Sequence, residues 1–315
     1  ILLISRIFFA MKFEITILGC GSATPTLARN PTAQVVNVME RYMMIDCAEG
    51  TQLQLRKYKV AFQKIDHIFI SHLHGDHYLG LVGLISSFHL FGRNKTLHIY
   101  GPVELERIIF DQLKASNTFL CYQIEFHALI NNSTELIFQD NILEVHTIPL
   151  NHRIYCNGFL FKEKKKERRL SKELITKYNI PVEMMPKLKK GEDPIGEGWD
   201  DLKNKDLTLP AQRSRSYAFC SDTRYSESIV PLIQNVDVLY HESTFLDDMK
   251  DRAKSTFHST AKQAALIAIK ANVNELLLGH YSARYSSIIE FEKEAKEVFA
   301  NVKAVKDGDT ISIPL

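Results

Sequence analysis

Within the six residues His72 to His77 the chain places three histidines and one aspartate: His72, His74, Asp76 and His77. Imidazole and carboxylate suit zinc and similar borderline cations, and a catalytic site keeps one coordination position open for water. Four such groups this close together do not easily serve one closed tetrahedron, so the run points to two metals sharing a cradle. The bland alternative is a solvated polar loop. An apolar run, Ile68-Phe69-Ile70, precedes the cluster and another, Leu79 to Ile85, follows it, which reads as a buried strand end, a turn and a helix start.

Other groups able to bind metal sit at equivalent places. Asp46, His152, Asp222, His241 and His280 each follow a strand-like run. In an α/β sheet, strand ends on one edge converge on the usual site of ligands, so His152, Asp222 and His280 become candidate partners of the cluster. Asp46 taken alone reads as a cap for the next helix, Thr51 to Tyr58. His67, His89, His98, His127 and His146 lie in or beside apolar runs without an evident partner and read as packing residues.

The elements that must position these groups follow from periodicity and turn signals. Phe13, Ile15 and Ile17 alternate as a strand that Gly19 to Ser22 breaks; Ala33 to Met39 and Tyr42 to Ile45 form a hairpin about Glu40-Arg41. A helix carrying Leu84, Ile85 and Phe88 comes next, then a strand at Leu97 to Tyr100, a helix at Val103 to Leu113, and strands at Gln123 to Phe126, Leu143 to Ile148 and Gly158 to Phe161. The second half adds strands ending at Cys220, Tyr240 and Leu278, helices at Ala261 to Lys270 and Ser287 to Phe299, and a last strand near Thr310 to Ile313. Strands first, then strand and helix alternating, favour an α/β sandwich over an all-β barrel.

Between Lys162 and about Asp206 the composition changes. Lys164, Lys165, Lys166, Arg168, Arg169, Lys187, Lys189 and Lys190 stand among few core residues. A solvated insertion would look like this, and so would a basic arm that meets phosphates. The 315-residue chain as a whole has a formal net charge of only +2, so a nucleic-acid surface has to be local. Five scattered cysteines without a Cys-x-x-Cys pair suggest a reducing cytosol and argue against a disulfide framework. Residues 1–10 are mostly apolar, too short to span a bilayer, and read as an extra segment ahead of a natural start at Met11. No other stretch approaches a membrane span, so a soluble protein is expected.

With these residues in hand, the chain from Met11 onward resembles the metallo-β-lactamase superfamily and, within it, the short-form ribonuclease Z family of tRNA 3′-processing endonucleases. The anchors are Met44-Ile45-Asp46-Cys47, Ser71 to His77, Leu97 to Pro102, His152, Asp222-Thr223-Arg224, His241 to Thr244 and Gly279 to Tyr285. The resemblance implies an αββα sandwich over residues 11–315 with an inserted, flexible tRNA-binding arm at about 162–206. It implies two zinc ions per subunit, one held by His72, His74 and His152, the other by Asp76, His77 and His280, with Asp222 bridging. Asp46 and His241 would then hydrogen-bond around the ligands. A cytoplasmic homodimer acting on precursor tRNA is also implied, with Arg29 of the early loop and the arm's lysines and arginines meeting RNA. Two departures stand out: Leu27 where the family's early loop has lysine, and Val182 to Pro186 where its arm has a Gly-Pro element.

In that reading Asp76 accepts the attacking water's proton and His258, held by Glu242, protonates the leaving 3′-oxygen. The products would be a tRNA 3′-hydroxyl and a trailer 5′-phosphate. A small-molecule lactonase, thioesterase or phosphodiesterase would use the same metal site but gains nothing from a cationic arm. A non-catalytic RNA-binding protein would not be expected to keep the whole ligand set.

Overall fold

The computed structural model describes residues 12–130, 132–196, 198–199 and 201–315. The expectation about residues 1–10 lies outside them. Two units are resolved, one formed by residues up to Lys162 together with Ser216–Pro314, the other by Glu163–Arg215.

The larger unit is an αββα sandwich. One seven-stranded sheet runs in the order Thr310–Ser312, Phe13–Gly19, Ala33–Val38, Arg41–Cys47, Ile65–Phe69, Leu97–Pro102, Ile124–Leu129. The other runs Val302–Ala304, Glu275–Gly279, Val238–Glu242, Ser216–Cys220, Asn157–Glu163, Leu143–Pro149, Leu136–Gln139. Alternation along the strands explains their facing core: Ile15, Val36 and Phe69 of the first sheet bury against Phe159, Phe161 and Tyr217 of the second. Phe69 meets Phe159 at a centroid distance of 5.4 Å. Tyr217 Oη donates to Gln34 Oε1 across the same layer, which satisfies a polar pair that burial would otherwise penalise.

Helices cover both outer faces. Leu55, Leu84, Ile85, Phe88, Leu105 and Ile109 bring the helices Thr51–Lys57, Leu81–Leu90 and Glu104–Ala115 onto the first sheet. Small residues, Ala264, Ala265 and Ala268, let Ala261–Lys270 lie close to the second. That helix starts at a capping box, Thr260 with Gln263, two residues beyond His258. The helix expected over Ser287 to Phe299 is shorter, Ile289–Lys296. Leu136–Gln139 escaped the sequence reading because Leu136-Ile137-Phe138 shows no alternation.

The smaller unit, Glu163–Arg215, corrects the expectation of an arm with few core residues. Ile175, Ile180, Leu188 and Leu207 form a buried cluster of their own, with Trp199, Leu170 and Tyr178 packed against it. Its ends are tied by a buried pair: Glu163 takes bonds from the Arg215 guanidinium at 3.1 and 2.6 Å and from the Arg215 backbone N–H at 2.9 Å. The unit therefore runs nine residues past the expected end at 206. Among the described residues, no helix is long and apolar enough to cross a membrane.

Candidate metal centre and active site

The C-terminal strand ends converge as the sequence suggests. Strands Arg41–Cys47 and Ile65–Phe69 run parallel, as do Ser216–Cys220, Val238–Glu242 and Glu275–Gly279, so both sheets deliver side chains to one edge. Two of the delivering residues need unusual backbone: Asp46 (φ 55°) and His280 (φ 61°) are left-handed, at on the order of 1–2 kcal/mol each. Gly279 is required just before His280, because a Cβ there would come within 2.2 Å of Tyr240 Oη.

Two groups of atoms meet around Asp222. His72 Nε2 lies 3.0 Å from His74 Nδ1, which lies 3.1 Å from His152 Nε2, and Asp222 Oδ2 is 3.5 Å from His72 and 3.7 Å from His152. On the other side Asp222 Oδ1 is 3.4 Å from His77 Nε2 and 3.1 Å from His280 Nε2, and Asp76 Oδ2 is 3.6 and 3.5 Å from the same two nitrogens. Ligands on a tetrahedral ion with bonds of roughly 2.0–2.1 Å stand about 3.3–3.4 Å apart, close to this spacing.

The hydrogen bonds fix which ring nitrogen faces inward. His77 Nδ1 donates to Asp46 Oδ2 (2.7 Å) and His152 Nδ1 to the Phe257 carbonyl (3.0 Å). Ser71 Oγ gives its proton to Asp46, and so accepts from His72 Nδ1 at 3.0 Å. Thr244 Oγ1 gives its proton to Glu242 and so accepts from His280 Nδ1 at 3.0 Å. In the neutral rings the lone pair therefore falls on Nε2, and all four Nε2 atoms face the cradle. His77 Nε2, His280 Nε2 and Asp222 Oδ1 are buried there without a hydrogen-bond partner, an arrangement that a cation relieves.

Charge points the same way. Burial holds the imidazoles of His74 and His152 down, each to about 4, so both are neutral donors at physiological pH. Burial opposes a charge on His77, but Asp222, Asp76 and Asp46 overcome it and raise its pKa, which shows the strength of the negative field a cation would meet. The donor set thus fits a divalent metal.

His258 completes the cleft. Its Nδ1 is 2.9 Å from Glu242 Oε1, and Glu242 is wholly buried, its other contacts being the N–H groups of Thr223 and Thr244 (3.0 Å each) and the Thr244 hydroxyl (2.7 Å). Burial works to discharge His258, but the Glu242 carboxylate outweighs it and lifts the imidazole to about 9. His258, His74, Asp76, His152 and Asp222 line one cleft of about 520 Å³.

Some expectations need correction. Asp46 caps nothing: Gly50 precedes the helix Thr51–Lys57, and the Asp46 carboxylate instead accepts from Ser71 N, Ser71 Oγ and His77 Nδ1. His241 does not brace a ligand; its Nδ1 meets the carbonyl of Glu242 and its Nε2 is buried without a partner. Arg29 is only 8% exposed, and its guanidinium donates to the carbonyls of Ser282 and Tyr285, so it holds the loop after His280 rather than facing solvent. In the smaller unit, Lys166 pairs with Glu163 and Arg168 donates to Thr208 Oγ1, whereas Lys165, Arg169, Lys187, Lys189 and Lys190 are exposed. Ser71 and Thr244 stand within the segments that carry the resemblance but had no role assigned to them there, and Arg153, which lines the cleft beside His74, carried no sequence signal.

An αββα sandwich with a metal cradle at its strand-end edge defines a metallo-β-lactamase-fold hydrolase. A family described as Anti-Pycsar protein Apyc1 matches residues 13–118. Ribonuclease Z of Parabacteroides distasonis is 46% identical over 301 residues, covering 96% of this chain and 99% of that protein. Ribonuclease Z of Bacteroides fragilis is 44% identical over 302 residues, covering 96% and 99%. The crystal structure of human tRNase Z, short form, superposes with a TM-score of 0.71 at 27% identity and covers 96% of this chain and 100% of that one. The chain belongs to the ribonuclease Z family.

Proposed function

We propose that the chain is a metal-dependent endoribonuclease that removes the 3′ trailer from precursor tRNA. The observation that carries this reading is the double cradle around Asp222 sharing one cleft with His258, whose Nδ1 lies 2.9 Å from the buried Glu242 carboxylate. His72, His74, His152 and Asp222 Oδ2 would hold one zinc, and Asp76, His77, His280 and Asp222 Oδ1 the other. Such a pair supplies an activated water and compensates the charge that develops on the phosphate. Asp76, steadied by the Ala23 N–H at 2.6 Å, accepts the water's proton. Glu242 takes the His258 Nδ1 proton in a hydrogen bond and so presents Nε2–H as the acid for the leaving ribose 3′-oxygen.

The exposed lysines and arginines of Glu163–Arg215 would neutralise tRNA phosphates, each contact adding about one unit to the salt dependence of binding. A cytoplasmic homodimer belongs to the same reading; all five cysteines are free thiols, as a reducing compartment favours. The test is a comparison of kcat/KM for a 3′-extended tRNA precursor with that for a lactone, a thioester and a small phosphodiester. The precursor should lead by orders of magnitude. Preference for the lactone or thioester would overturn the reading.

A further inference from the structure

The histidines expected only to pack are not scattered. Parallel pairing of Leu97–Pro102 with Ile124–Leu129 sets His98 opposite Glu125 and Tyr100 opposite His127, so these side chains share one face at the margin of the sheet. His98 Nδ1 lies 3.2 Å from His127 Nε2 and 3.5 Å from Glu125 Oε2, and His127 Nε2 lies 3.6 Å from Glu125 Oε1. The two imidazole nitrogens stand a little closer than the roughly 3.3–3.4 Å edge of a tetrahedron about an ion with bonds of about 2.0–2.1 Å. Each faces a different oxygen of the Glu125 carboxylate, so both oxygens of Glu125 border the space an ion would take.

Packing, rather than chance rotamers, aims the rings. His98 stacks on His67 (centroids 4.8 Å apart, planes at 13°) and His127 on Tyr100 (4.3 Å, 10°), while Phe138 of the facing sheet closes over His67 at 4.5 Å. Both ligand imidazoles are about one-third exposed, His98 28% and His127 32%, so an ion and a water can reach them. A simple His98–His127 hydrogen bond would explain the shortest distance but not the third vertex.

We propose that His98, Glu125 and His127 form a divalent-metal site separate from the catalytic centre, selective for borderline cations such as zinc because two of its three donors are imidazoles. Ile124–Leu129 is the outermost strand of its sheet, with its far side unpaired among the described residues, so the ion acts as a clip between an edge strand and its neighbour. It would not take part in hydrolysis, and it binds only the folded chain, which makes it stabilising.

The experiment strips the full-length protein with chelator, dialyses it against zinc, and counts bound metal in the wild type, Glu125→Gln and His127→Ala. Each variant should hold one equivalent less zinc per chain, hydrolyse a small phosphodiester at the wild-type rate, and show a smaller zinc-induced rise in Tm. Equal zinc in all three proteins would overturn the proposal. So would loss of hydrolysis along with the metal, which would tie these residues to the catalytic centre. Should His127→Ala fail to fold for want of its stack on Tyr100, Glu125→Gln decides alone, since its side chain is exposed and its volume conserved.

Discussion

A histidine that offers Nε2 to a cation must lodge its Nδ1 proton elsewhere, and at this centre each one does so at a named acceptor: His77 at Asp46, His72 at Ser71, His280 at Thr244 and His152 at the Phe257 carbonyl. Replacing Asp46 by Asn weakens the acceptor for His77, and metal affinity should fall roughly 10–100-fold, as measured by competition with a chromophoric chelator. His258 stands outside both ligand groups. His258→Ala should therefore keep its metal while single-turnover cleavage of precursor tRNA slows about 10²–10⁴-fold. A variant that cleaves normally would remove His258 from the mechanism.

At the scale of elements, the insertion depends on its neck. Glu163 is fully buried against Arg215, and the carboxyl sits below its ordinary value of 4.5 because the bonds from Arg215 and Lys166 outweigh a burial that opposes ionisation. Glu163→Gln leaves a buried guanidinium without its counter-charge, and about 3–5 kcal/mol of stability should be lost from this unit, read as earlier urea unfolding or faster proteolysis within residues 163–215. A depressed carboxylate contributes stability that is complete above pH 4.5 and disappears as pH falls through the folded-state value; the wild-type unit should lose that contribution in acid and the Gln variant should have none to lose. The contrast with the ligands shows what a sequence exposes. The meeting of His72 to His77, His152, Asp222 and His280 in one place was legible because each follows an apolar strand, and the strand ends of both sheets converge on one edge. Glu163 and Arg215 looked like two more charges in a charged stretch, because only the antiparallel return of the chain brings them together. Ser71 and Thr244 are ordinary residues whose roles arise from hydrogen bonds to partners chosen by the fold. The grouping of His98, Glu125 and His127 depends on the register of two parallel strands, which alternation alone does not specify.

At the scale of the molecule, the work divides in the proposed reading: the sandwich would supply hydrolysis and the Glu163–Arg215 unit the choice of substrate. Replacing residues 164–214 with a short linker should abolish precursor-tRNA cleavage and leave turnover of a small phosphodiester largely intact; equal loss of both would mean that the unit maintains the sandwich rather than selecting RNA. The same division explains why the ligand geometry alone identifies a hydrolase but not its substrate. The central claim is tested most directly by incubating the zinc-loaded protein with a 3′-extended tRNA precursor and mapping both new ends. One cut is expected at the 3′ end of the tRNA body, with a 3′-hydroxyl on the tRNA and a 5′-phosphate on the trailer. A 2′,3′-cyclic phosphate, or an intact precursor in the presence of metal, would contradict it.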